Sequence, residues 1–380
     1  MKSIFVVGST GFLGREALEV VKLLGENYKV VGITGFNNLE ILSEQIRSFL
    51  PKYVGASTKI LDSLKEMFEK AYIFDVENEL EQVLEDASPD LTLFLSSKIT
   101  SLRSIYNQIS NEHFVGIGNK ESIIAGGEIL FSDQTLKFII PIDSEPSAIF
   151  QCLRGERKEE IRNLILTASG GPFFDRNKTT FDDIKKEEAL KHPKWKMGRK
   201  ITIDSSTLIN KAFEVIEAHF LFNVPYEKIK VVIHRESVVH SIVEFEDGIM
   251  KAILSLPLMY FPLEFAITYP NRINSGLPQL NLNSLKRLTF EEMDLDKFPG
   301  FNIVLDYAKK GGNFLPVIVA LDEVLVESFL NNRIKYTEIY THLEKILEKF
   351  TFKRITSIDE VGEFYNLGII TANEFLRRNL

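Results

Sequence analysis

The chain has 380 residues, 44% of them hydrophobic, enough for two or three domains each with its own core. Lys and Arg number 45 against 53 Asp and Glu, a formal charge of -8, and no basic block offers a footprint for nucleic acid. A single cysteine, Cys152, excludes an intrachain disulfide and a thiolate metal cluster; with no secretory leader and no long apolar run, a cytoplasmic protein without a membrane partner is expected.

Residues 3–7 read as a buried strand, and Gly8-Ser9-Thr10-Gly11-Phe12-Leu13-Gly14 opens a helix running to about residue 24. A glycine turn between strand and helix leaves backbone N–H groups free at the helix N-terminus, where a dinucleotide pyrophosphate can sit. The spacing is GxxGxxG and departs from the commoner GxGxxG. A second strand, 28–34, ends in Gly35-Phe36-Asn37-Asn38. Dinucleotide folds specific for NAD carry an acidic residue here for the ribose hydroxyls; its absence favours NADP, although Phe36 supplies no positive charge. Asn37 and Asn38 either donate to the nucleotide or cap the next helix.

Strands at 53–56, 71–74, 90–95 and 114–117 alternate with helices from 61, around 79–85 and over 102–109. Single strands separated by helices predict a parallel sheet covered on both faces. Gly118-Asn119-Lys120-Glu121 follows the last of these strands, where open α/β sheets bind ligands, and Lys120 is either a substrate contact or a solvated helix-start lysine. Residues 138–141 form another strand, followed by Asp143, Ser144 and Glu145. On an extended backbone the two carboxylates face one side and suit a divalent cation; alternatively Asp143 or Ser144 caps a helix beginning near Pro146.

Beyond Cys152 the pattern changes. Strand 161–168 leads into Ser169-Gly170-Gly171-Pro172-Phe173, then a polar stretch ends in His192-Pro193-Lys194-Trp195-Lys196-Met197-Gly198-Arg199-Lys200. The sole tryptophan, in so polar a segment, reads as an exposed indole in a loop, either a stray or part of a lid. From Ile201 a strand end runs into a helix on which Asn210, Glu214 and Glu217 share a face beside Lys211, opposite Val215, Ile216 and Phe220. Strands 230–233, 238–245 and 249–256, with a hairpin at Asp247-Gly248, predict an antiparallel sheet where a partner subunit can dock. Pro, Gly and Asn are frequent over 257–299, suggesting an extended connection; helical periodicity then covers 304–309, 316–329, 337–350, 357–367 and 371–378.

Several blocks resemble 1-deoxy-D-xylulose 5-phosphate reductoisomerases, over nearly the whole chain. They are GSTGFLG at Gly8, NKES at Asn119, IDSEPSAIFQ at Ile142, SGGPF at Ser169, HPKWKMGRKITIDSSTLINKAFEVIEA at His192 and LDYAKKGGNFLPVIVALDE at Leu305. The resemblance implies an α/β chain with an N-terminal Rossmann-like parallel sheet, an α+β catalytic domain and a C-terminal helical bundle. It places an NADPH domain at 1–143, a metal, substrate and dimerisation domain at 144–277 with a lid over 175–200, a linker at 278–299 and helices at 300–380. By the same resemblance Asp143, Glu145 and Glu214 hold Mg²⁺, Mn²⁺ or Co²⁺, and these three with Lys120 are catalytic. Ser144, Ser169, Ser205, Asn210 and Lys211 bind a small phosphorylated sugar together with Lys120, Glu145, Glu214, His192 and Trp195. Gly8, Ser9, Thr10, Gly11, Phe12, Leu13, Gly35, Phe36, Asn37, Asn119, Glu121, Met197 and Gly198 contact NADPH. The implied reaction converts 1-deoxy-D-xylulose 5-phosphate to 2-C-methyl-D-erythritol 4-phosphate in a homodimer, a step of non-mevalonate isoprenoid synthesis. Rival readings are a related NADP-dependent oxidoreductase acting on another small phosphorylated or hydroxylated carbonyl, and a non-catalytic nucleotide-binding regulator. Phe36, Pro146, Arg235-Glu236, Leu258-Met259-Tyr260 and Ser96-Ser97-Lys98-Ile99 depart from the family's usual pattern.

Overall fold

The computed structural model describes every residue except 98, 196, 197 and 380. The chain divides into two compact units, one of residues 1–119, 132–147 and 258–278, the other of 120–131, 148–257 and 279–380. In the first, strands β1 (Lys2–Val7), β2 (Tyr28–Thr34), β3 (Tyr53–Ala56), β4 (Tyr72–Asp75), β5 (Leu91–Phe94), β6 (Val115–Ile117) and β7 (Ile139–Pro141) form one sheet in the order β4-β3-β2-β1-β5-β6-β7. Every neighbouring pair is parallel. Helices α1 (Phe12–Leu24), α2 (Leu39–Phe49), α3 (Thr58–Met67), α4 (Leu80–Ala87) and α5 (Leu102–Ser110) supply the crossovers that parallel strands require. Ile4, Phe5 and Val6 are fully buried, which is why the central strand reads as an unbroken apolar run rather than an alternation. The strand order reverses between β1 and β5, so the turns after β1, β2, β5, β6 and β7 all gather at one carboxyl edge with a crevice at the switch point.

The second unit begins with α6 (Lys120–Leu130). Helix α7 (Ser144–Cys152) starts in the first unit and ends in the second. Strand β8 (Ile161–Ala168) leads through α8 (Lys186–Ala189), α9 (Arg199–Thr207) and α10 (Ile209–Phe222) to β9 (Ile229–Ile233). Strands β10 (Val239–Phe245) and β11 (Met250–Leu254) complete a sheet ordered β11-β10-β8-β9. It is mixed rather than antiparallel: β10 runs against both neighbours, but β8 and β9 are parallel because the three helices between them form a crossover. The stretch from Ile201, read as a strand end, is instead helical, its Thr and Ile residues overridden by tertiary packing.

The proline-rich stretch after residue 257 contains a helix, α11 (Tyr260–Thr268), which belongs to the first unit and packs against α1. Residues 278–299 lack long elements but are tied down, Ile233 and Glu291 exchanging backbone hydrogen bonds of 2.9 Å in both directions. Helices α12 (Pro299–Ala308), α13 (Phe314–Leu330), α14 (Tyr336–Leu347) and α15 (Ile358–Asn379) follow. The last merges two expected helices, since residues 368–370 carry no breaker strong enough to end it and Gly368 sits 2.8 Å (as a Cβ) from Ala320 on α13, allowing close packing. No helix among the described residues is long and apolar enough to cross a membrane.

A groove of about 500 Å³ runs along the first unit, lined by Phe12, Glu16, Lys22, Gln45, Phe49 and Tyr260. Glu16 Oε2 is buried there without a hydrogen-bond partner, and burial, offset only partly by Arg15, pushes the carboxyl up to about 7. A raised folded-state value means the folded chain keeps a proton that the unfolded chain has released, so stability falls as pH rises from the ordinary carboxyl range to about 7. Glu16→Gln removes that penalty. Its stability should match the parent's at about pH 4 and exceed it by about 1 kcal/mol at pH 8, a figure discounted for partial exposure. Urea unfolding at the two pH values reads the difference.

Candidate active site

In the first unit the glycine turn is built by close approach. Gly8 has φ +88°, and a Cβ there would lie 2.6 Å from Ser96 N. One on Gly14 would lie 2.2 Å from the Gly8 carbonyl oxygen, so the start of α1 folds directly over the turn. Helix α1 has no side-chain cap and no acidic residue in its first turn, which leaves its leading N–H groups for an anion. Ser9 does not aim its hydroxyl at a ligand: Ser9 Oγ is buried and bonded to Gln45 Oε1 at 2.7 Å, while Gln45 Nε2 donates to the Ser9 carbonyl at 2.8 Å. The Ser9 N–H is likewise spent within the fold, donating to the Thr34 carbonyl at 2.7 Å.

The loop after β2 lies beside this turn, with Gly35 so close to Thr10 that a Cβ would meet its methyl at 2.8 Å. Asn38 caps α2 by accepting from Ile41 N at 3.1 Å, and Asn37 Oδ1 accepts from Ser57 Oγ at 2.6 Å. The ring of Phe36 is 51% exposed, an open apolar face at the edge of the nucleotide crevice. Asn119, at the end of the loop after β6, is buried.

Asp143, Ser144 and Glu145 close the carboxyl edge after β7, but not on extended backbone. Helix α7 starts at Ser144, so Glu145 stands in its first turn and Asp143 immediately before it. Asp143 Oδ1 accepts from Ser144 N at 3.0 Å, and Ser144 Oγ donates to Glu145. The acidic pair thus stands at the very start of α7.

In the second unit a chain of side chains joins α6 to α10. Lys120 Nζ donates to Asn210 Oδ1 at 2.7 Å and lies 3.7 Å from Glu214 Oε1. Asn210 Nδ2 donates to Glu214, and Lys211 donates both to the other Glu214 oxygen and to the Thr167 carbonyl at the end of β8. Lys120, Lys211 and Glu214 are all buried. Helix α10 is thus polar where it is buried, and Glu217 is fully buried too. Two buried ammonium groups, Lys120 and Lys211, flank the Glu214 carboxylate. Leu208, between α9 and α10, takes φ 60°, a left-handed conformation costly for a branched side chain, and so starts α10 in a new direction with Asn210 and Lys211 in its first turn.

The Ser169 loop joins the same group. Gly171 has φ +67°, and a Cβ there would lie 2.9 Å from the Ser205 carbonyl oxygen, so this turn rests on α9 beside Ser205. His192 Nδ1 accepts backbone N–H groups from Lys194 at 3.2 Å and Trp195 at 2.8 Å; its proton therefore sits on Nε2, which donates to Ser169 Oγ at 3.1 Å. The 175–200 segment has two characters. Phe181, Ile184 and Ala189 are buried, Phe181 among Phe173, Phe298 and Tyr336, whereas Pro193, Lys194, Gly198 and Arg199 are exposed. Trp195 is half-buried rather than exposed, its ring 5.9 Å from that of His240. Met197 lies outside the described residues. No local pattern singles out Lys200, Asp204 and Asp322, which meet although 122 positions separate the first from the last.

Residues 4–127 match a family described as 1-deoxy-D-xylulose 5-phosphate reductoisomerase, 139–222 its C-terminal domain, and 254–366 the DXP reductoisomerase C-terminal domain. The 1-deoxy-D-xylulose 5-phosphate reductoisomerase of Caldanaerobacter subterraneus subsp. tengcongensis is 41% identical over 389 residues, covering 100% of both chains. The chain belongs to the 1-deoxy-D-xylulose 5-phosphate reductoisomerase family. The reductoisomerase of Zymomonas mobilis, solved with NADPH, has TM-score 0.90 at 28% identity, covering 99% of each chain. A DOX-P reductoisomerase solved with NADPH, fosmidomycin and magnesium has TM-score 0.91 at 28% identity, covering 99% of this chain and 98% of that one. Departures from the usual reductoisomerase pattern have local partners. Arg235 makes a bidentate pair with Asp175 at 2.9 and 2.8 Å and lies over the Phe174 ring, and Glu236 accepts from Thr289.

Proposed function

We infer that this protein converts 1-deoxy-D-xylulose 5-phosphate to 2-C-methyl-D-erythritol 4-phosphate, using NADPH and a divalent cation. The observation that carries the reading is the buried Lys120–Asn210–Glu214–Lys211 network beside Ser169 and Ser205, within a chain that matches the reductoisomerase family end to end. Asp143, Glu145 and Glu214 would hold the cation; all three offer carboxylate oxygens, so the donor set fits a hard ion. When bound, the cation would polarise the sugar's carbonyl and hydroxyl oxygens and NADPH would supply the hydride. Lys211, Asn210, Ser169 and Ser205 hold the phosphate, and Lys120 presents its ammonium to the reacting oxygens. Mg²⁺ is the ion named for solved relatives; Mn²⁺ and Co²⁺ share its preference for oxygen ligands and should substitute. A metal-supplemented assay that follows NADPH oxidation and identifies the product decides the reading. It fails if the sugar phosphate is not consumed, and the cofactor assignment fails if NADH is used equally well.

The free edge of β11 favours a homodimer. Ile249 is 60% exposed, Met250 56% and Leu254 38%, an apolar strand edge that a second copy would cover. Light scattering at low micromolar concentration should give twice the chain mass; a fully active monomer would remove this assignment.

Residues 192–198 act as a lid over the sugar phosphate. Adding fosmidomycin with NADPH and Mg²⁺ should change Trp195 fluorescence as the indole leaves His240. Trp195→Ala should lower kcat/KM about tenfold to a hundredfold with a nearly unchanged Tm. An unaltered emission with saturating fosmidomycin, or a variant that mainly unfolds, would make Trp195 a structural anchor.

A further inference from the structure

Directly behind the substrate network, three helices of the second unit converge on one ammonium. Lys200, two residues past Gly198, donates to Asp204 at 2.7 Å and to Asp322 on α13, and lies 3.8 Å from Glu121 Oε1 on α6. The Asp204 and Asp322 side chains are 3% and 0% exposed, and Glu121 is 16% exposed. Two of these contacts adjoin functional residues: Glu121 follows Lys120 and Asp204 precedes Ser205. A small movement of the ammonium therefore reaches Lys120 and Ser205 through single peptide links.

We propose that Lys200 is a positioning residue: it fixes the C-terminal root of the lid to α6 and α13 and so sets Lys120 and Ser205 for the reaction. This rests on the reductoisomerase reading above. Three carboxylates around one ammonium are over-supplied with negative charge, and the two buried aspartates each keep an Oδ1 without a hydrogen-bond partner. Burial works against the charge on Lys200, but Asp204, Asp322 and Glu121 overcome it and hold the amine protonated. Burial, then the charge of Asp322, pushes Asp204 up to about 8, with Lys200 offsetting only part, and burial raises Asp322 as well. The groups facing this pair are Lys200 from α9, Glu121 from α6, Glu323 from α13, and Tyr365 of α15, which donates to Glu323. The ammonium already touches Asp204 and Asp322, with Glu121 farther off at 3.8 Å. Loss of a proton from Asp204 at alkaline pH would draw the ammonium further from Glu121, loosening the start of α6 where Lys120 stands.

Two variants test this. Lys200→Met should lower kcat/KM for the sugar phosphate about a hundredfold, with the larger loss in kcat because positioning acts on the reacting complex. In ligand-free protein it should also speed chymotrypsin cleavage after Trp195 several-fold, a readout that needs no turnover. Asp322→Asn keeps the volume and an oxygen for Lys200 but removes one negative charge. The fall in kcat above about pH 8 should flatten, since two carboxylates can then share the ammonium without releasing Glu121. If the parent enzyme does not turn over the sugar phosphate, the assigned reaction fails, while the cleavage comparison still judges the positioning role. Cleavage of Lys200→Met at the parent rate, or an alkaline limb of kcat identical in Asp322→Asn and parent, overturns the proposal. Should Lys200→Met not fold, Asp322→Asn alone decides.

Discussion

Glu214→Gln is expected to lower kcat by about a thousandfold or more and to weaken the apparent Mg²⁺ affinity at least tenfold. The carboxylate is 2% exposed and takes hydrogen bonds from Asn210 and Lys211, with Lys120 at 3.7 Å. Glutamine preserves the volume and one acceptor oxygen but removes the charge that a cation needs, and it takes one counter-charge away from two buried ammonium groups. Some stability should therefore be lost, about 3–5 kcal/mol at most, because breaking a buried pair strands its partner. NADPH affinity should be unaffected if the nucleotide is held by the first unit's glycine turn. Glu217→Gln is the comparison: Glu217 is fully buried on the same helix, so its change should cost stability without altering the Mg²⁺ dependence. Parent-level activity of Glu214→Gln at limiting Mg²⁺ would remove Glu214 from the ligand set and leave it a purely structural acid.

The sequence carried the first unit well. Its strands are short, buried on both faces and separated by amphipathic helices, so period and breaker signals coincide, and the glycine turn marks its own place after β1. The second unit was less legible for physical reasons. Residues 201–207 are β-branched and hydroxylated, which reads as strand, yet they are held in α9 by burial of Ile203 and by Tyr336, which donates to the Ser206 carbonyl at 2.6 Å from 130 positions away. Helix α10 presents polar residues at helical spacing, and local pattern cannot distinguish a wet face from a buried charged network. Only the partners, Lys120 from α6 and Thr167 from β8, make the difference, and both are remote in sequence. For Asp143 and Glu145 the sequence left an extended backbone and a helix start near Pro146 both open; the helix start is the one observed, two residues earlier, with Pro146 inside the first turn of α7, a position that proline tolerates.

Lys211→Met carries the second large expected effect, and a double variant separates its two causes. Lys211 spends its ammonium on Glu214 and on the Thr167 carbonyl, so it is both the counter-charge of a buried acid and a tie between α10 and the end of β8. A phosphate arriving beside Ser169 and Ser205 would meet that ammonium at the start of α10. Losing it should raise KM for the sugar phosphate about a hundredfold or more, since a charged contact to phosphate is among the stronger hydrogen bonds available. It should also destabilise the fold by about 3 kcal/mol, the low end for a stranded buried charge, because Lys120 remains near Glu214. Lys211→Met combined with Glu214→Gln removes both charges. Its stability should then exceed that of Lys211→Met alone, a coupling that denaturant midpoints measure directly. Its activity should stay as low as that of the worse single variant, because the phosphate contact and the metal contact are both gone. If activity returned together with stability, Lys211 and Glu214 would be a structural pair only, and the phosphate and the cation would have to be held elsewhere.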